Sequence, residues 1–531
     1  MKPKVILLAD LRYQLHVRYL GPYALASELN ARGIPTMVLN WHTSKEDLFE
    51  YLEPFLSEDC VAVGISSTFL FPKDSKRPQK NYRLRSLGMQ QYVSSHLHFS
   101  ESEDLLEWSG KLKQLMRRKA PNAKLVMGGA KTYLLKPDYF AHAESPYRDF
   151  DYFFLGASNN SFPKFIEDLL QGQPPEIDNR NGFKFVRSSP HDNYPAKVTW
   201  HPNMAIGRGE ALPFEVARGC AFSCKFCNFE KLKSQFKNKE QIKKELLHNY
   251  ETFGTQHYLF VDDCVNDSND KVIQICSAID ELPFEVFWTS YARIDPIVRS
   301  PDLFDRMFRS GCRGVHFGIE SFNAAAARLA GKPVPPDKVK DTLLALKSKY
   351  GSNLQIEASF ITGLPRETVE SQVATIDWIK KNPVFDFFSV SALAILEYDA
   401  MVDGTVVHFA EHSKNPQKYG FKKIEYNPHY WEHETMDFHK AEDLAAYFID
   451  EVTRNKPRSS NIWQYPMIRS LGYTHQDFID FNEGNRPDEL NFHTLNVRYK
   501  ELQNRHWKDL NAEWLGQENL NLERVIELRG F

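Results

Sequence analysis

The stretch "FEVARGCAFSCKFCNFEK" (residues 214–231) decides how the chain is read, because it sets Cys220, Cys224 and Cys227 at a C-x3-C-x2-C spacing directly after an apolar run. The chain of 531 residues holds seven cysteines, and three of them fall within these eight positions. A structural zinc site wants four ligands, usually as two close pairs. Here the next cysteine, Cys264, belongs to another expected strand, and His248 or His257 would have to complete the set, so zinc stays as the weaker alternative. A redox pair of Cys224 and Cys227 leaves Cys220 without a role. Three thiolates on one loop suit three irons of a [4Fe–4S] cubane. The fourth iron then lacks a protein ligand, and a substrate or cofactor can bind it directly.

Working outward, short apolar runs recur after the cysteines. "FEVAR" (214–218), "HYLFVDD" (257–263), "FEVFWTSYAR" (284–293), "GVHFGIES" (314–321), "LQIEASFITG" (354–363) and "DFFSVSALAIL" (386–396) are expected strands. Helical segments over 238–253, 335–350 and 366–381 separate them. Six such units imply an incomplete (β/α)6 barrel, open on one side, with its chemistry at the C-terminal strand ends. The cysteines follow the first of these strands.

Upstream, "KVILLA" (4–9), "IPTMVLN" (34–40), "CVAVGISS" (60–67), "AKLVMGG" (123–129) and "FDYFFLG" (150–156) are continuous apolar runs, as strands covered on both faces require. With helices between them, notably 21–33, they define an α/β, Rossmann-like doubly wound parallel sheet over residues 1–171. Residues 172–213 read as a linker rich in turn formers, 214–400 as the barrel, and 401–531 as a mainly helical, aromatic-rich C-terminal region with one clear amphipathic helix at 437–455. The segment "FPKDSKRPQKNYRLR" (71–85) carries six basic residues against one acidic and reads as a solvated insertion.

A net charge of −3 argues against a dedicated nucleic-acid binder. The N-terminal apolar run stops at Asp10, short of a secretory signal, and no apolar stretch reaches the length of a membrane span. Sparse cysteines in an odd number make no disulfide framework, so a reducing cytoplasm is expected.

The motifs together resemble the radical S-adenosylmethionine (SAM) superfamily: the cysteine loop with Phe226 before its last cysteine, "FVDD" (260–263), "ARID…GVHFGIES" (292–321) and "EASFITGLPRETVES" (357–371). The resemblance covers roughly 210–400. It implies that Cys220, Cys224 and Cys227 hold a [4Fe–4S] cluster, that SAM chelates the fourth iron, and that electron donation to the sulfonium gives a 5′-deoxyadenosyl radical. By position it assigns the Phe226 backbone to the adenine, Glu320 and Ser321 to the ribose, and Asp262, Asp263 and Gly363 to the remaining SAM contacts. Arg293 pairs either with the SAM carboxylate or with Asp295.

The N-terminal half resembles the cobalamin-binding domain that precedes the barrel in a large subfamily of radical SAM methyltransferases. On that resemblance Ser66, Ser67, Gly128, Gly129 and Gly156 line the nucleotide tail of cobalamin; physically, glycines there let a bulky cofactor approach the backbone. Two motifs depart from the pattern. The histidine motif that would ligate cobalt is absent, the region reading "DLRYQLH", and the last turn reads "LGAS" in place of an acidic pattern. The function so implied is methylation of an unactivated carbon through the adenosyl radical and methylcobalamin, with radical rearrangement, ring contraction or cyclisation as the alternative and electron transfer alone as a further one. Expected partners are a small-molecule or peptide substrate and an external electron donor of flavodoxin or ferredoxin type, with no membrane or nucleic acid.

Overall fold

The structure is a computed structural model that describes residues 2–10, 17–41, 48–67, 102–129, 132, 145, 147–187, 192, 194–227, 233–395, 398–399, 406–407, 410–426, 429–454, 462–483, 495 and 498–499. The basic insertion and the "LRYQLH" segment (11–16) lie outside the described residues.

The N-terminal sheet is built from β1 (Val5–Asp10), β2 (Thr36–Trp41), β3 (Ala62–Ser66), β4 (Lys124–Gly128), β5 (Tyr152–Leu155), β6 (Asp178–Arg180) and β7 (Phe183–Arg187), in the order β2-β1-β3-β4-β5-β7-β6. The first five strands are parallel and match the continuous apolar runs. Helices α1 (Leu20–Ala31), α2 (Ser102–Lys119) and α3 (Ser161–Leu170) make the crossovers. The region expected to be a plain linker differs: residues 178–187 form a hairpin whose second strand extends the sheet parallel to β5. Phe185 and Val186 of that strand join the core, but apolar residues broken by Lys184 and Arg187 make no continuous run to announce it.

The second sheet has six parallel strands, β8 (Leu212–Phe214), β11 (His257–Phe260), β12 (Phe287–Ala292), β13 (Cys312–Glu320), β14 (Gln355–Thr362) and β15 (Phe387–Ala392), each beside its predecessor. The first strand is shorter than the "FEVAR" expectation. After Phe214 the chain leaves the sheet, and β9 (Ala217–Arg218) instead pairs antiparallel with β10 (Gln235–Phe236). That small ribbon closes the base of the loop carrying the cysteines. Four helices cover the outside: α4 (Lys239–Phe253), α5 (Asn269–Asp280), α7 (Pro336–Tyr350) and α8 (Val369–Lys381), with α6 (Pro301–Arg309) between α5 and α7. Asn238 and Thr368 begin α4 and α8 with reciprocal capping boxes. The C-terminal region adds the hairpin β16 (Phe421–Tyr426) and β17 (His429–His433), helix α9 (Phe438–Thr453), and helix α10 (Gln464–Ser470). Asp437 caps α9 at the start expected from the sequence. Among the described residues no helix is long and apolar enough to cross a membrane.

The two sheets share one continuous core, and an ion pair fastens them. Arg18, ahead of α1, bonds Glu210, ahead of β8, at 2.6 and 3.0 Å. Both side chains are at most 1% exposed. The guanidinium also donates to Tyr23 Oη and to the Met204 and Ala205 carbonyls, and the Tyr23 ring packs on Trp200 of the connecting segment at 4.8 Å. Removing one partner of a buried pair strands the other charge, at a cost of about 3–5 kcal/mol. Arg18→Met should therefore lower unfolding stability by about that much in urea titrations, and the double change Arg18→Met with Glu210→Leu should recover most of it. Equal loss in the single and double variants would show that the pair is not what joins the domains.

Candidate active site

The cysteine loop is held from three sides. Asp262, buried at the end of β11, accepts hydrogen bonds from the Val216 and Ala217 amides at 2.8 and 2.9 Å. Asp267 accepts from the Ala221 amide at 3.0 Å and is paired with the buried Lys271. From the far side, the turn after Ala324–Ala330 reaches the loop: Lys225 N donates to Ala330 O, and a Cβ on Gly331 would stand 3.2 Å from Cys224 Cα. Cys220, Cys224 and Cys227 are each half-buried and free of disulfides. A hydrogen bond with Cys264 holds the Cys220 thiol down to about 7, and the same contact together with burial pushes Cys264 well up. Sequence spacing gave no signal of that contact, because Cys264 reaches the loop only through the β11 turn.

Among the described residues no three His, Cys, Asp or Glu side chains stand together as ligands of one metal ion. A tetrahedral zinc site needs all its ligands around a single point, whereas each thiolate of a cubane takes its own iron. The donor set of one loop with three half-buried thiols fits the cluster.

Arg293 is buried against this loop. Its guanidinium bonds Asp295 at 2.7 Å, Cys224 Sγ at 2.9 Å and Gly331 O at 3.1 Å, and stacks over the Phe222 ring. Of the two pairings open from sequence, the Asp295 one is present, with a cysteine sulfur added. Glu320 ends β13 in a left-handed conformation (φ 68°) that side chains rarely adopt. Its carboxylate accepts from Ser359 Oγ at 3.2 Å and faces Lys332 at 3.6 Å. Ser321 beside it is buried and its hydroxyl accepts from the Asn323 amide. Phe226 is partly buried against the apolar cluster under the C-terminal region. Gly363 follows β14 with φ +80°, where a Cβ would come within 2.3 Å of the Trp431 ring and 2.8 Å of Ala441 Cβ. The glycine is thus required by the packing of β17 and α9. One carboxylate escaped sequence reasoning: Glu367, fully buried beside Ser321 and Ser371, is pushed up to about 7 by burial.

A cavity of about 510 Å³ lies between the C-terminal ends of the two sheets. Ser66, Gly128, Gly129 and Gly156 line it from the N-terminal side, and Arg218, Gly219 and Asp263 from the barrel. Ser67 sits buried beneath that surface. Gly129 has φ +108°, and a Cβ there would meet Ser66 Oγ at 2.7 Å. This is a cradle only glycine leaves open. Arg218 is held by a two-point pair with Glu215, which also accepts from the Ala196 amide.

Residues 214–379 match the model of the Radical SAM superfamily, so this segment is a radical SAM domain. The match contains the cysteine loop, Arg293, Glu320 and Gly363. The chain is 30% identical over 183 residues to an uncharacterized methyltransferase of Pyrococcus horikoshii, covering 33% of this chain and 38% of that protein. It is 26% identical over 176 residues to the anaerobic magnesium-protoporphyrin IX monomethyl ester cyclase of Rubrivivax gelatinosus, covering 32% and 31%. The chain thus spans about a third of the length of these relatives. Among solved structures, the radical SAM methyltransferase TsrM of Kitasatospora setae, with cobalamin and a [4Fe–4S] cluster bound, superposes with a TM-score of 0.56 over 96% of this chain and 100% of that one at 13% identity. That likeness establishes a common fold.

Two outcomes follow from the geometry. A cationic N–H donor to a cluster sulfur favours the more negative, reduced cluster. Arg293→Met should lower the midpoint potential by roughly 50 mV or more, on a scale of 59 mV per tenfold for one electron, in an EPR-monitored titration. An unchanged potential would remove Arg293 from the cluster's environment. Glu367 holds its proton to higher pH folded (about 7) than unfolded (about 4.5). The folded state therefore binds more protons between these values, and stability falls as pH rises through that window. Glu367→Gln should gain on the order of 2 kcal/mol relative to the parent between pH 5 and pH 8, measured by urea unfolding, and a pH-independent difference would contradict the assignment.

Proposed function

We propose that the chain is a cobalamin-dependent radical SAM enzyme that methylates an unactivated carbon of a small molecule or peptide. The observation that carries the reading is the cavity, because one continuous surface joins the glycine cradle of the N-terminal sheet to the cysteine-loop side of the barrel. A cofactor held by Ser66, Gly128, Gly129 and Gly156 would face whatever reacts at Glu320 and the loop. When bound, the cluster with SAM supplies a carbon radical able to take hydrogen from carbon, and cobalamin supplies a methyl group.

The chain's own residues bind, orient and exclude water. Cys220, Cys224 and Cys227 would hold the cluster, with Arg293 placing a positive charge on Cys224. The left-handed turn at Glu320 aims its carboxylate across β14 toward Ser359, where it would fix a ribose. Asp262 is committed to the frame of the loop, while its neighbour Asp263 faces the cavity. The hairpin β16–β17 and α9 close one side of the barrel through Trp431 and the Thr362-to-Ala441 hydrogen bond. An external electron donor of flavodoxin or ferredoxin type would reduce the cluster. A second reading, radical cyclisation without methyl transfer, is favoured by the alignment with the cyclase of Rubrivivax gelatinosus.

Anaerobically reconstituted protein with SAM and dithionite should form 5′-deoxyadenosine. Cys220→Ala, Cys224→Ala and Cys227→Ala should abolish it, while Cys60→Ala should not. Hydroxocobalamin should bind the full chain in equilibrium dialysis, and Gly129→Val, which fills the cradle, should weaken that binding at least about tenfold. Deoxyadenosine from a chain that takes up no cobalamin would favour cyclisation, and no deoxyadenosine from an iron-loaded chain would overturn both readings.

A further inference from the structure

The barrel lumen carries a second constellation whose residues have been given no role above. Tyr291, His316 and Glu357 are register partners on β12, β13 and β14, so they form one row across three adjacent strands. Side chains two residues apart share a face. On that face of β13, a Cβ on Gly314 would meet Ile462 at 3.2 Å, and one on Gly318 would meet the Glu320 carboxylate. The row therefore lies inside the barrel, above the plug made by Ile462 and α10 and below Glu320.

Three rings frame it. His316 stands 4.8 Å from Tyr291, edge-on, and 5.8 Å from Trp463, nearly stacked, and Tyr291 and Trp463 are 4.4 Å apart. Glu357 is 5% exposed and its single ion pair among the described residues is with His316, whose Nδ1 lies 3.2 Å away. That pair lacks hydrogen-bond alignment: Nδ1 of His316, a residue 8% exposed, is a buried nitrogen without a hydrogen-bond partner, and Thr289 Oγ1 next to the row is likewise unpartnered. Glu357 Oε2 accepts only a long bond from the Ile462 amide at 3.3 Å. Tyr291, by contrast, is 43% exposed, and its phenol feels both Glu357 and Asp263, which lines the cavity between the sheets. The row is thus open to solvent on its Tyr291 side.

A buried carboxylate without a full charge partner, walled by indole and phenol rings, selects an organic cation. The carboxylate supplies the missing counter-charge interaction and the ring faces attract the ammonium further. Imidazole nitrogen and hydroxyl oxygen add places for N–H groups to bond. We propose that Tyr291, His316, Glu357 and Trp463 form the substrate site of the enzyme read above, and that its substrate is a protonated amine on a small organic skeleton, which enters amine first. The proposal rests on that reading for the reaction, and on the row alone for the binding chemistry. Anchored at Glu357, the amine would leave the rest of the skeleton pointing up the lumen toward Glu320.

The test is equilibrium dialysis of reconstituted full-length protein against benzylamine and against benzyl alcohol, its neutral counterpart of similar size. Benzylamine should bind at least about tenfold more tightly. Glu357→Gln, which keeps size and shape, should bring the two within about twofold, and Glu357→Asp should restore part of the preference. Iron content and circular dichroism of each variant report folding independently of binding. Equal binding of the two probes, no binding of either, or an undiminished preference in Glu357→Gln would each overturn the proposal. The failures separate: 5′-deoxyadenosine without amine preference sinks the amine site and leaves the radical reading standing, whereas amine preference without 5′-deoxyadenosine supports the site and sinks the reaction.

Discussion

The architecture depends on the ion pair between Arg18 and Glu210. Each domain could bury its own strands, but the cavity between them exists only if the two sheets meet with their C-terminal ends converging. A hydrophobic contact would allow the sheets to slide, since apolar packing is non-directional. A guanidinium with a two-point carboxylate and two backbone carbonyls admits one orientation. Water cannot soften it, because both side chains are buried. The glycine cradle at Gly129 and the loop at Cys220 are therefore fixed relative to each other by residues that touch neither.

Within the barrel the reactive end is shaped by departures from regular structure. The chain leaves the first strand early, which frees the cysteine loop. The ladder between β13 and β14 shifts register between Gly318 and Glu320, and Glu320 takes a left-handed backbone. Strain of this kind persists only where surrounding contacts over-determine it, and here Ser359, Lys332 and the Lys332 bond to Gly318 O supply them. Below this level the lumen is filled by Ile462, Trp463 and α10, which makes the barrel a cup instead of a tube.

Much of this was legible in the sequence for a physical reason. Strands covered on both faces must be apolar throughout, so "KVILLA" or "LQIEASFITG" announces itself, and three thiols in eight residues have few explanations. The hairpin at 178–187 was not legible because its core residues, Phe185 and Val186, stand in a strand interrupted by Lys184 and Arg187 and make no continuous apolar run. Glu367 and Glu357 gave no signal, since a single acidic residue in a helix start or a strand reads as solvent-facing until the fold buries it. Gly363 was read as a SAM contact; the packing that requires glycine there comes from Trp431 and Ala441, 68 and 78 residues further on, to which no local pattern points. The contact of Cys264 with Cys220 is tertiary in the same sense.

The strap across the cysteine loop has a consequence for how the protein is made. The His412 amide donates to Lys225 O at 3.0 Å, so a residue of the C-terminal region closes over the loop. Ribosomes deliver the N-terminal side first, at about 5–20 residues per second, and domains fold as they emerge. The loop is complete roughly 180 residues before its strap exists, an interval on the order of ten to forty seconds at that pace. During nascent growth the three thiols stand uncovered at the edge of a barrel still being assembled. Afterwards a segment held down by its buried imidazole and aromatic neighbours lies against one side of the loop, and the thiols are half-buried. The loop is thus most open before that segment is made, and one side of it is covered once the chain is complete.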